Sequence, residues 1–152
     1  MTLSAFFAFL HHLAAFALVA ALTGELVLMR CALTVENARR IVRFDAAYGI
    51  SAGALLVAGL SRMFYFEKGA AYYFHSAPFL AKLTLFAAIG LVSLYPTREF
   101  LSWRAALKEN RVPAIGPDKL RTIASIIHWE LVGVVFILLC AVLAARGIGT
   151  FG

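Results

Sequence analysis

Four histidines, His11, His12, His75 and His128, are the side chains best suited to chemistry at neutral pH. A neutral imidazole is a proton acceptor and a ligand for haem iron, copper or zinc. Two adjacent imidazoles inside an apolar run serve no packing purpose that leucine would not serve better. Near them in the chain stand Arg62, Lys82 and the stretch 59–82, which interleaves Glu67, Lys68 and His75 with Phe64, Tyr65, Phe66, Tyr72 and Tyr73. A second set holds Glu25, Arg43, Asp45, His128 and Glu130. Ionisable groups within membrane-spanning runs mark functional sites by default.

The runs that must position these groups are apolar. The 152 residues are 62% hydrophobic and 14% charged, against about 45–50% and 25% in soluble domains. That composition predicts a single integral membrane domain, 1–152. Four runs, roughly 4–29, 44–60, 79–95 and 123–145, approach the ~20 residues that cross a hydrocarbon core. Backbone groups in lipid must bond within their own segment, so the expected fold is an all-α four-helix bundle. The first run reads as a retained helix, because no Lys or Arg precedes Arg30 and no small-residue cleavage site follows. Tyr95-Pro96-Thr97 predicts the end of the third helix. Thr97 would then cap a short interfacial helix over 98–110, with Phe100 and Trp103 in the headgroup plane.

Of the fourteen basic residues, ten fall in the segments 30–43 and 96–122. Those ten are Arg30, Arg39, Arg40, Arg43, Arg98, Arg104, Lys108, Arg111, Lys119 and Arg121. The positive-inside rule places these loops in the cytoplasm of a bacterial inner membrane, with both termini outside. The net charge of +6 reflects this asymmetry, and no nucleic-acid motif accompanies it. Cys31 and Cys140 lack metal spacing and read as packing residues. Gly49 and Gly53 form a G-x-x-x-G pair. Packing inside the bundle is its first reading, and a seam between copies in a homo-oligomer its second.

With helices oriented, the polar groups fall into two tiers. The outer tier has His11 and His12 on the first helix, Arg62 ending the second and Lys82 starting the third. Arg62 and Lys82 also suit snorkelling to headgroups, and Tyr72 and Tyr73 an aromatic belt. In the inner tier, His11, Leu18 and Glu25 recur every seven residues and share a face. Glu25 needs a partner, for which Arg43 and His128 are the candidates, while Arg43 and Asp45 suit an interfacial ion pair. A haem or porphyrin in the outer half is one expectation. His11 or His12 would bind iron or accept a proton, and Arg62 and Lys82 would hold carboxylates. His75 or Met63 would give a second ligand, or there would be none, and Tyr65 would flank the site. A bis-histidine two-haem wire would want four ligands in two pairs, but His128 stands alone in the inner tier. No H-x-x-H, C-x-x-C or H-E-x-x-H spacing supports copper or zinc. The competing reading is a non-catalytic assembly subunit without cofactor.

The run 59–69, then Tyr72-Tyr73 and Phe79-Leu80-Ala81-Lys82, resembles the bacterial membrane family called domain of unknown function 2214. Ser93 to Thr97, Phe100, Trp103-Arg104 and Ala145-Arg146-Gly147 extend the likeness over nearly the whole chain. The chain is more distantly similar to HemJ-type protoporphyrinogen oxidases and CopD-like membrane proteins. The HemJ proteins use a first-helix histidine and a third-helix lysine and bind haem. Ala81-Lys82-Leu83 is similar to their lysine step, and Gly24 and Arg30 to their glycine-to-arginine spacing. His11 and His12 stand displaced by a residue or more. The resemblance implies a membrane oxidoreductase acting on a tetrapyrrole or a quinone-linked substrate, with His12 and Lys82 catalytic and a quinone or electron-transfer partner.

Overall fold

Each helix begins where a short polar side chain or a proline can satisfy the first turn. The Thr2 hydroxyl accepts from the Ala5 amide at 3.4 Å and starts α1, Leu3–Met29. Thr34 accepts from Asn37 at 3.1 Å and starts α2, Val35–Ser61. Ser76, fully buried, accepts from Phe79 and starts α3, Ala77–Lys108. Gly116 with Pro117 in the first turn opens α4, Pro117–Ala145. Such caps occupy amide donors that no helical carbonyl reaches. The computed structural model describes residues 2–66 and 75–149. Glu67, Lys68, Tyr72 and Tyr73 lie outside the described residues.

All four helices are long and apolar enough to cross a membrane. The chain runs up and down, pairing α1 along α2 and α3 along α4, and the two hairpins meet across a narrower seam. Two glycines let the partners of each hairpin close up. A Cβ on Gly24 would stand 2.7–2.9 Å from the Phe44 ring, and one on Gly133 2.7 Å from the tip of Ile89. The start of α1, the end of α2, the start of α3 and the end of α4 share one end of the bundle, where the Ala77 amide donates to the Gly149 carbonyl at 3.1 Å. The opposite end carries the clustered arginines.

Packing is densest toward that basic end. Leu22, Ile41, Phe100, Ile123 and Ile127 are fully buried there, and Phe100 meets Trp103 edge to face at 5.0 Å. Arg39 donates to the Leu107 carbonyl at 3.0 Å and to Asn110 at 3.1 Å, closing the C-terminus of α3. Glu99 takes the Trp103 indole at 3.1 Å and Lys119 at 2.5 Å. At the terminal end a smaller cluster of Met63, Phe79 and Ala144 is buried.

Three expectations are corrected. First, no separate interfacial helix follows Pro96: α3 runs straight through it. The proline removes one amide, but in lipid nothing rewards breaking the remaining ladder. Thr97 therefore caps nothing and donates instead to Asp45 Oδ1 at 2.6 Å. Phe100 and Trp103 are core residues rather than headgroup anchors. Second, Gly49 and Gly53 do not pack inside the bundle, since a Cβ at either would meet nothing within 4 Å. Third, Cys31 is exposed just beyond α1, its thiol 3.4 Å from the Val27 carbonyl, whereas Cys140 is half-buried.

Candidate functional site

The seven-residue spacing on α1 turns His11, Leu18 and Glu25 toward the other helices, with Leu18 and Glu25 buried. One turn is 3.6 residues, so His12 points about 100° away; it is exposed, and its Nδ1 lies 2.6 Å from the Ala8 carbonyl of its own helix. Only His11 faces inward. Its Nδ1 is 3.3 Å from the Leu55 carbonyl on α2. A carbonyl can only accept, so Nδ1 carries the proton and Nε2 is left as the basic nitrogen. Gly59 makes the room, because a Cβ there would come within 3.2 Å of the imidazole.

Arg62 and Lys82 lie within electrostatic reach of His11. Arg62 opens a π-helical turn, Arg62–Phe66, that continues α2. Lys82 sits one turn into α3 with its ammonium 4.9 Å from the centre of the Phe79 ring. His11 and Lys82 line a cleft of about 160 Å³ between the hairpins, whose other walls are apolar side chains including Leu55, Met63, Phe79 and Leu83; Arg62 is not among its lining residues. Among the described residues α1 and α3 do not pack against each other, and the cleft lies between side chains of both. Its chemistry is that of an apolar slot with a cationic rim. Tyr65 and His75 are exposed and do not line it.

The second tier assembles differently from the expectation. Arg43 and His128 are exposed. Each is two residues from an inward carboxyl, a turn of ~200° that points it away from the core. What comes together is Glu25 on α1, Asp45 on α2 and Glu130 on α4, all within electrostatic reach of one another. Arg104, not Arg43, is the cation beside Asp45. Three further residues belong to this tier and were absent from the expectation. The Tyr48 hydroxyl reaches Ser93, Ser93 donates to the Gly90 carbonyl at 2.8 Å, and Thr97 holds Asp45. The signal for them was in the spacing: Tyr48 follows Asp45 by three residues, and Thr97 follows Ser93 by four. Among the described residues, no group of three or more His, Cys, Asp or Glu is placed to hold a metal ion.

No curated protein and no solved structure matches the chain, so the likeness to HemJ-type and CopD-like proteins gains no support. One family model does match, described as "Predicted membrane protein (DUF2214)", and it covers residues 3–149. The chain is thus an integral membrane protein belonging to the DUF2214 family.

Proposed function

We propose that the terminal-end cleft binds an amphipathic anion, and that the ligand class is a tetrapyrrole, haem or porphyrin. The observation that carries this is His11: its Nδ1 is engaged by Leu55, its Nε2 is free of that bond, and it lines an apolar slot together with Lys82, with Arg62 within electrostatic reach. In that role His11 would hold iron or accept a proton, and the two cations would pair with carboxylates. The donor set fits a tetrapyrrole, but the volume does not. Ligand sites usually span ~300–1,000 Å³, so a macrocycle requires the two hairpins to part along their seam. A redox reaction, and a quinone or electron-transfer partner, would follow only from a bound haem.

The test is a titration of the purified protein with ferric haem and with a metal-free porphyrin, followed by absorption and fluorescence. A shifted Soret band in the unmodified protein, lost in His11→Ala and kept in His12→Ala, is the expected result. Absence of any Soret or fluorescence change with both ligands overturns the tetrapyrrole assignment.

A second reading, a cofactor-free assembly subunit, is favoured by the open space at Gly49 and Gly53, which would let another copy's helix approach closely. It predicts that Gly53→Leu lowers cross-linking between copies in membranes. For either reading the proposed setting is the bacterial inner membrane, with the basic end in the cytoplasm.

A further inference from the structure

Glu25 and Glu130 are only 2% and 3% exposed. The Oε1 atom of each is sealed from solvent and has no hydrogen-bond partner among the described residues. Asp45, 8% exposed, is the third carboxyl of the cluster, and it is satisfied by Thr97. The groups facing this trio can be named helix by helix. From α2 come Asp45 itself and the Tyr48 phenol, and from α3 the hydroxyls of Ser93 and Thr97, with the exposed Arg104 beside Asp45. From α1 and α4 come only Glu25 and Glu130. Among the described residues no Lys, Arg or His is buried.

Ionised, Glu25 and Glu130 would lose hydration and repel each other and Asp45, and among the described residues the cation beside the cluster is Arg104, exposed and next to Asp45. Protonated, each carries no charge and gains a donor. Glu130 also has a way to water. It lines a groove of about 620 Å³ on the outside of α3 and α4 whose other polar members, Arg121, Thr122 and Ser125, step toward the basic end. The opposite direction is closed. Leu18, Phe86, Val134 and Ile137 wall both the terminal-end cleft and the groove that touches Asp45, so an apolar layer separates the carboxyls from His11.

We propose that Glu25 and Glu130, with Asp45, form a proton-binding site inside the bundle that is loaded from the basic end through the α3/α4 groove. The ligand is a proton taken from water and returned to it, with no redox step. The site does not depend on what occupies the terminal-end cleft.

Infrared spectroscopy of the purified full chain in lipid tests this directly. Carboxylic-acid carbonyl bands should be present at neutral pH, where exposed Asp and Glu are ionised, and should shift in deuterium oxide. Glu25→Gln and Glu130→Gln should each weaken them, and the double variant should abolish them, with the helical amide band confirming the fold. Ser125→Leu, which fills the groove, should slow the deuterium shift without changing band intensity. A neutral-pH spectrum of the unmodified protein with carboxylate bands alone overturns the proposal, whatever the variants do. Bands that vanish on adding sodium chloride at fixed pH also overturn it, by assigning the site to a metal cation.

Discussion

Gly24 brings α1 against α2 at a point where the Phe44 ring lies across the gap. Alanine there would push its Cβ to 2.7–2.9 Å from three atoms of the Phe44 ring, and overpacking of this kind costs about 1–3 kcal/mol. Gly133→Ala meets only the tip of Ile89, a flexible end that can rotate away, so its cost should be smaller. Gly49→Ala meets nothing and should gain up to about 1 kcal/mol of helix propensity. Thermal unfolding in detergent should therefore rank Gly49→Ala at or above the unmodified protein, then Gly133→Ala, then Gly24→Ala. The sequence distinguished these residues poorly, because a glycine's role depends on what sits opposite it, and that is set by another helix. It set His12 about 100° from the Leu18–Glu25 face, yet both histidines stayed candidates and His12 was expected to be catalytic, whereas only His11 turns inward and lines the cleft. It failed for Glu25 because opposite charge was assumed to be the partner. The chain instead places like groups together, which only the packing of three helices reveals.

At the level of elements, the existence and type of all four helices were readable from length and apolarity, but the starts of α2 and α4, at Val35 and Pro117 rather than near 44 and 123, and the end of α3, at Lys108 rather than near 95, were not. A rule derived from local sterics says that the residue before proline avoids the helical region. Local sterics lost here to the demand that every backbone group in an apolar surrounding be bonded. The consequence is that Thr97 sits on a continuous helix, aimed at α2, and ties the two hairpins together through Asp45. Thr97→Val keeps the shape and removes the donor, leaving a mostly buried carboxyl oxygen unpaired. The expected loss is about 1–3 kcal/mol, read as a lower thermal midpoint. Asp45→Asn in the Thr97→Val background should restore part of that loss, because it removes the charge that Thr97 offset. If the two substitutions simply add, Thr97 and Asp45 are not coupled and the tie between hairpins lies elsewhere.

Over the whole molecule, the two ends differ in kind. The basic end is closed by the large core and by Arg39, Glu99 and Lys119, and surface pairs such as Arg40 with Glu36 and Arg111 with Glu109 add little beyond solubility. The terminal end carries a smaller buried apolar cluster, Met63, Phe79 and Ala144, beside the backbone bond from Ala77 to Gly149, so it is the end at which the hairpins separate more readily. The proposed orientation, with the closed end in the cytoplasm, rests on charge: ten of the fourteen basic residues lie at that end, and clustered Lys and Arg favour the cytoplasmic side. Cys31 supplies a reporter for that assignment, being exposed at the closed end one residue after Arg30. In a Cys140→Ser background it is the sole thiol. A membrane-impermeant maleimide should leave intact spheroplasts unlabelled and label the protein fully once the membrane is opened. Labelling of intact spheroplasts would invert the topology, place the His11 cleft on the cytoplasmic side, and load the Glu25–Glu130 site from outside. Such a reversal would leave the packing of every helix unchanged, since orientation is decided by where the arginines stop during insertion and not by any contact in the bundle.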